Sequence, residues 1–263
     1  MTEPTIDDRV PHSARVWNYW LGGKDNYAVD REVGERLKEI VPEGVVSARA
    51  DRQFLARSVR HAVLDGGIRQ FLDVGTGLPT ADNTHEVAQA AAPECRVVYV
   101  DNDPLVLVHA QALLVGTPEG ATDYIHADVH DPEAILAQAS RTLDTGAPAA
   151  VVLSSVLNYV VSQQEARAIV SALMGAFPSG SLLIVGHPTA DVVPERMEEL
   201  LRVWNEANPH PMRTRSKGEI EELYEGLELL EPGVVFAPDW RPDAGTLFAG
   251  RAIPHLVAVG RKP

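Results

Sequence analysis

Between residues 69 and 187, five short apolar runs alternate with helix-spaced stretches: RQFLDV (69–74), RVVYVD (96–101), DYIHAD (123–128), AAVVLSS (149–155) and SLLIVGH (181–187). The helical stretches lie at about 83–92, 104–115, 131–142 and 162–177. Strands joined through helices pair in parallel, and right-handed crossovers then place helices on both faces of the sheet. The pattern therefore predicts an α/β doubly wound sheet. Ser162 with Glu165, and Ser216 with Glu219, stand in capping-box spacing at two helix starts. The end of the chain differs. LELLEPGVVF (227–236) and HLVAVGRK (255–262) have no convincing helix between them, so they are expected to pair antiparallel at one edge.

The first 68 residues read as helices. Val29, Val33, Leu37 and Ile40 recur at helical spacing before Pro42, and Ala48, Phe54, Leu55, Val59 and Val63 do so before Gly66 and Gly67. We expect a helical cap over 1–68, a ligand-binding domain over 69–263, and a substrate-lid insertion at 189–215. A net charge of -14 over 263 residues repels phosphate backbones, so a nucleic acid is not the expected substrate. The single cysteine, Cys95, offers no internal disulfide, and the start lacks a basic leader. No run approaches the ~18 apolar residues of a membrane span. A cytoplasmic protein is expected, with no membrane partner and no feature that specifies an oligomeric state.

In such a sheet, ligands bind where the strands end. The first strand ends in Asp73, Gly75, Thr76 and Gly77, and the second in Asp101 and Asn102. Glycines admit close backbone approach, and an acid on the second strand can take both ribose hydroxyls. A dinucleotide would favour G-x-G-x-x-G without a nearby carboxylate, whereas Thr80 stands at the last glycine position and Pro79 beside it. S-adenosylmethionine carries an ammonium group instead of a diphosphate, which gives Asp73 a role. Asp128 and Val129 end the third strand and can bind adenine through a carboxylate and an N–H. The plainer reading of each acid is a helix cap or turn former.

At this point the sequence resembles the class I S-adenosylmethionine-dependent methyltransferases. More narrowly, SARVWNYWLGGKDNYAVDRE (13–32), FLDVGTGLPT (71–80), VYVDNDPLVLVHAQALL (98–114) and GLELLEPGVVF (226–236) resemble a family of actinobacterial-type S-adenosyl methyltransferases. The resemblance implies a Rossmann-like, seven-stranded, mostly parallel sheet with an antiparallel last strand. It also implies S-adenosylmethionine as cofactor, with Asp73, Gly75 and Gly77 in the first motif, Asp101 on the ribose, and Asp128 with Val129 at the adenine.

Methyl transfer rests on positioning, and an oxygen or nitrogen acceptor can also need a base. His187, ending the fifth run, is the expected general base, with a turn histidine before Pro188 as the plainer alternative. Ser154 is expected near the methyl on the cofactor side, and Asn158 and Tyr159 on the acceptor side. Trp17, Tyr19, Trp20 and Tyr27 are candidates to cover the site, with Tyr19 assigned to the cofactor and Tyr27 to the acceptor; core packing is the competing reading. Arg15 or Lys24 is the expected partner of the methionine carboxylate. Trp240 is expected either to close the acceptor pocket or to pack the closing hairpin. The histidines and acids of HADVHD lack a distant partner cluster, so no metal is expected. The expected function is methyl transfer to a small-molecule acceptor. The alternatives are a non-catalytic S-adenosylmethionine or S-adenosylhomocysteine binding regulator and an NAD-dependent oxidoreductase.

Overall fold

The computed structural model describes residues 7–113 and 115–263. Three helices come first: α1 (Ser13–Trp20), α2 (Ala28–Ile40) and α3 (Glu43–Leu64). The alternating part follows as β1 (Gln70–Val74), α4 (Thr84–Ala91), β2 (Arg96–Asp101), α5 (Pro104–Leu113), β3 (Ala121–His126), α6 (Pro132–Ala139), β4 (Ala150–Ser154), α7 (Gln163–Gly175) and β5 (Leu182–Pro188). Then come α8 (Pro194–Ala207), α9 (Lys217–Glu221), β6 (Glu228–Leu229), β7 (Val235–Phe236) and β8 (His255–Arg261). The stretch expected to be helical over 104–115 ends at Leu113, and Leu114 lies outside the described residues, as do 1–6 of the expected cap.

The strand order is β3-β2-β1-β4-β5-β8-β6, with β7 also on β8. Strands β1 to β5 pair in parallel, and β8 runs antiparallel between β5 and the β6/β7 pair. The fold is thus the Rossmann-like α/β sheet with one reversed strand. The run expected as a single strand over 227–236 splits in two, because Pro232 has no N–H to give a ladder. Eight strands therefore occupy seven positions.

Strand β1 is buried throughout, as parallel strands covered on both faces are. Its side chains alternate between two cores. Leu72 faces Val98, Val151, Leu183 and the helices α6 and α7, through Ile135, Ile169 and Leu173. Phe71 faces Val97, Val152, Ile184 and α3, through Phe54, Val59 and Val63. A third cluster joins α1 and α2 to α8: Val16, Leu37 and Val41 pack against Met197, Leu200, Val203 and Trp204. This cluster lies beside the carboxyl ends of the central strands. Among the described residues, no helix is long and apolar enough to cross a membrane.

Candidate active site

The strand order reverses between β1 and β4, and a cavity of about 360 Å³ opens at the carboxyl ends there. The turn after β1 is held by its neighbour: the Gly75 and Thr76 N–H groups both donate to the Val100 carbonyl, at 2.8 and 3.2 Å. Gly75 has φ 75°, and a Cβ placed on it would lie 2.5 Å from Val156 Cβ, so only glycine fits. Gly77 has φ 69° and donates its N–H to Asp101 Oδ2 at 2.8 Å. Asp101 Oδ1 accepts from the Asp103 N–H at 2.9 Å. Burial raises the Asp101 carboxyl above its ordinary value, and these two N–H groups oppose the rise.

Asp73 lies on the same wall, near the positive charge of Arg52. Burial lifts its pKa to about 6, offset in part by the Thr84 hydroxyl, which donates to Oδ2 at 2.6 Å. Arg52 also lines the cavity and weakly lowers Asp73 by its charge. One Arg52 nitrogen donates to the Ala81 and Asp82 carbonyls, while its buried Nε has no partner among the described residues. An acid and an arginine with an unused donor thus line one cavity, as a bound amino acid zwitterion requires. Farther along the cavity, Asn102 donates to Asp128 Oδ2 at 3.1 Å, beside the backbone of Val129.

The cavity thus brings together Asp73, Gly75, Thr76, Gly77, Asp101, Asn102, Asp128, Val129, Ser154 and Tyr159. Other expected residues lie elsewhere. His187 is fully buried; its Nδ1–H donates to its own neighbour, the Pro188 carbonyl, at 2.8 Å, and Nε2 accepts from Arg215 at 2.7 Å. Burial, then the Arg215 charge, pushes its pKa down to about 3. A base with both nitrogens engaged and no access to the cavity takes no substrate proton, so the general-base role is withdrawn.

Arg15 turns away as well. Its guanidinium donates to the Asp7 and Val10 carbonyls, approaches Asp30 and Asp103 at 3.7 and 3.5 Å, and covers the Tyr27 ring at 5.2 Å. Arg15 and Tyr27 thus pin α1 to α2, and Lys24 is exposed. Tyr19 donates to Glu35 on α2. Trp240 is core: it is fully buried and meets Phe54 edge-on at 5.4 Å. Asn158 misses the main cavity and lines a smaller one beside it.

Four residues escaped the sequence reading: Arg52, described above, and Asp51, Gly186 and His255. Asp51 Oδ1 lies 2.9 Å from His255 Nε2, and both Asp51 oxygens accept from the Ser154 hydroxyl, at 2.9 and 2.8 Å. A Cβ on Gly186 would sit 2.3 Å from Asp51 Oδ1, so the glycine makes room for the group. A signal was present for Asp51: at helical spacing it falls between Ala48 and Leu55, in the apolar stripe of α3. For His255, 204 residues away at the start of β8, there was none. Among the described residues, no group of three or more His, Cys, Asp or Glu is placed to hold a metal ion.

A Rossmann-like sheet with a reversed strand beside β5 and a glycine turn facing a ribose-type acid defines the methyltransferase class of fold. A family described as S-adenosyl methyltransferase matches the chain over residues 1–263, and the chain belongs to that family. Its cofactor is S-adenosylmethionine. The chain is 44% identical to a DUF574 family protein from Streptomyces avermitilis MA-4680, with TM-score 0.94, covering 98% of this chain and 100% of that one. It is 39% identical to a candidate methyltransferase from Thermobifida fusca YX, with TM-score 0.88, covering 97% and 96%. The plantazolicin methyltransferase BamL shares the fold at 11% identity, with TM-score 0.56 and 95% of each chain covered. No curated protein matches the sequence.

Proposed function

We propose that this protein transfers a methyl group from S-adenosylmethionine to a small-molecule acceptor. The observation that carries the reading is the pairing of the glycine turn with Asp101, in the same cavity as the buried Asp73 and the half-used Arg52. In this reading Asp101 holds the ribose hydroxyls, Asn102, Asp128 and Val129 the adenine, Asp73 the ammonium group and Arg52 the carboxylate. The bound cofactor supplies an electrophilic methyl; the protein orients the partners and excludes water, which is where most of the acceleration lies.

The neighbouring helix start disfavours the NAD reading. Asn83 caps α4 in a capping box, with Glu86 Oε2 accepting the Asn83 N–H at 2.8 Å. A helix N-terminus already bearing a carboxylate repels a diphosphate. We read the N-terminal motif as the device that seats a roof. Asn18 Oδ1 accepts from the Asp25 N–H and the Asn26 side chain at 3.0 and 2.9 Å, folding LGGKDN back under α1. Within the expected 1–68 cap, α1 and α2 then serve as the roof and 189–215 as the lid insertion, joined through the α1–α2–α8 cluster, while α3 packs on the sheet.

The test supplies the purified protein with methyl-labelled S-adenosylmethionine and cell fractions separated by size. Label in the low-molecular-weight fraction supports the reading. Label only in macromolecules contradicts the small-molecule acceptor, and binding without turnover favours the regulatory alternative.

A further inference from the structure

Beside the cofactor cavity lies a second cavity of about 70 Å³, which adjoins it along Ser13, Trp17, Ser155, Tyr159 and Trp204, the residues that line both. Its walls are apolar and polarisable: Trp20, Leu37, Met197, Leu200, Trp204 and Met212. Three buried polar atoms on residues lining it have no hydrogen-bond partner among the described residues: Ser47 Oγ, Ser155 Oγ and Asn158 Oδ1. Buried polar groups are seldom left unpaired, and an apolar chamber carrying several is a site built for a ligand with its own polar group.

His255 also lines this chamber. The Asp51 carboxylate 2.9 Å from Nε2 fixes the proton on that nitrogen, so the lone pair is on Nδ1, in a ring that meets Trp17 edge-on at 6.4 Å. The Asp51–His255 pair is almost wholly buried and also bonded through Asp51 to Ser154 at the end of β4. An imidazole held by a carboxylate at one nitrogen and set in the wall of an apolar chamber has the arrangement of a general base.

Resting on the methyltransferase reading above, we propose that this chamber is the acceptor subsite, that it takes a single-ring hydroxyaromatic molecule, and that His255, held by Asp51, removes the hydroxyl proton. Size selects one ring: one water needs ~10–15 Å³ of such space, so the chamber holds only about five to seven waters. Chemistry selects the hydroxyl: a phenol ionises at ~10, far below water, and a neutral side-chain base removes its proton far more readily. In the step, the O–H bond breaks heterolytically, the electron pair stays on oxygen as the nucleophile, and the proton goes to Nδ1. The Asp51 carboxylate stabilises the imidazolium that results.

The experiment titrates p-nitrophenol, whose anion is coloured, into protein saturated with S-adenosylhomocysteine, at a pH where the free phenol is mostly protonated. The expected result is binding with the absorbance of the anion. His255→Gln keeps a donor for Asp51 but has no ring nitrogen; it should bind p-nitrophenol without the colour. Ser47→Leu fills the chamber and should weaken binding of both p-nitrophenol and p-nitrotoluene by about tenfold or more, with S-adenosylhomocysteine affinity unchanged. Colourless binding by the wild type, or equal binding by Ser47→Leu, overturns the proposal, and so does S-adenosylhomocysteine binding with no uptake of p-nitrophenol. Failure of S-adenosylhomocysteine itself to bind sinks the cofactor reading, and the acceptor subsite with it.

Discussion

The backbone N–H of Gly77 donates to Oδ2 of Asp101 at 2.8 Å, so the glycine turn of one strand and the acid of the next are a single unit. Each Asp101 oxygen accepts one backbone N–H, which leaves each a lone-pair direction for a ribose hydroxyl. Asp101→Asn keeps the shape but turns one acceptor into a donor facing an N–H. A hydrogen bond to a charged group is worth about 1.5–3 kcal/mol, so S-adenosylhomocysteine affinity should fall by about 10- to 150-fold. Titration of the variant checks this; unchanged affinity would detach Asp101 from the ribose.

Gly75→Ala should cost more than cofactor affinity. The new methyl would strike Val156, and φ 75° is strained for any side chain. Strain of that kind costs about 1–3 kcal/mol, to which the clash adds. Urea unfolding should show the loss, and a variant as stable as the wild type would mean that the turn takes another path.

Asp73 makes cofactor binding pH-dependent. Its folded pKa of about 6 exceeds the ordinary 3.8, so its contribution to stability is fully present below about 3.8 and is lost as pH rises through 6. The difference of about 2.2, at ~1.36 kcal/mol per pKa unit, amounts to about 3 kcal/mol for the unliganded protein. An ammonium group beside Asp73 restores the charged form. Binding of S-adenosylhomocysteine should therefore release a proton between pH 4 and 6, and calorimetry in two buffers of different ionisation heat measures it. Asp73→Asn should abolish the release; a wild type that releases none contradicts the assignment.

His187 acts on the opposite side of the balance. Its pKa falls from 6.5 to about 3 on folding, so it favours the folded state above pH 6.5 and progressively less as the pH drops toward 3. His187→Gln retains an acceptor for Arg215 without the titration. Relative to the wild type, the variant should gain stability as pH falls from 7 to 4, as followed by urea unfolding, while S-adenosylhomocysteine affinity at pH 7 stays unchanged. Lost affinity in a folded variant would return His187 to the site.

The parts of this molecule that were legible from sequence are those written in local pattern. Apolar runs such as RVVYVD gave the strands, and the spacing from Gly75 to Asp101 gave the glycine-turn and ribose-acid pair. Side-chain direction was not legible. Arg15 and Tyr19 share one motif yet reach Asp30 and Glu35 on α2, while Tyr27, from the start of α2, packs under Arg15 and beside Ala14 and Leu105. Trp240 stands in an irregular connection whose residue types do not reveal that it packs on Phe54 of α3. His187 was read by type at a strand end, and only the fold shows Arg215 taking its lone pair. Long-range pairs such as Asp51 with His255 exist only once α3 is laid on the sheet.

The central claim is that the cavity at Gly77 and Asp101 holds S-adenosylmethionine, and calorimetric titration of the wild type and of Asp101→Ala with S-adenosylhomocysteine and with NAD tests it most directly. The account predicts saturable binding of S-adenosylhomocysteine, none of NAD, and loss of binding in the variant. Binding of NAD alone, or S-adenosylhomocysteine binding that the substitution leaves untouched, would contradict it.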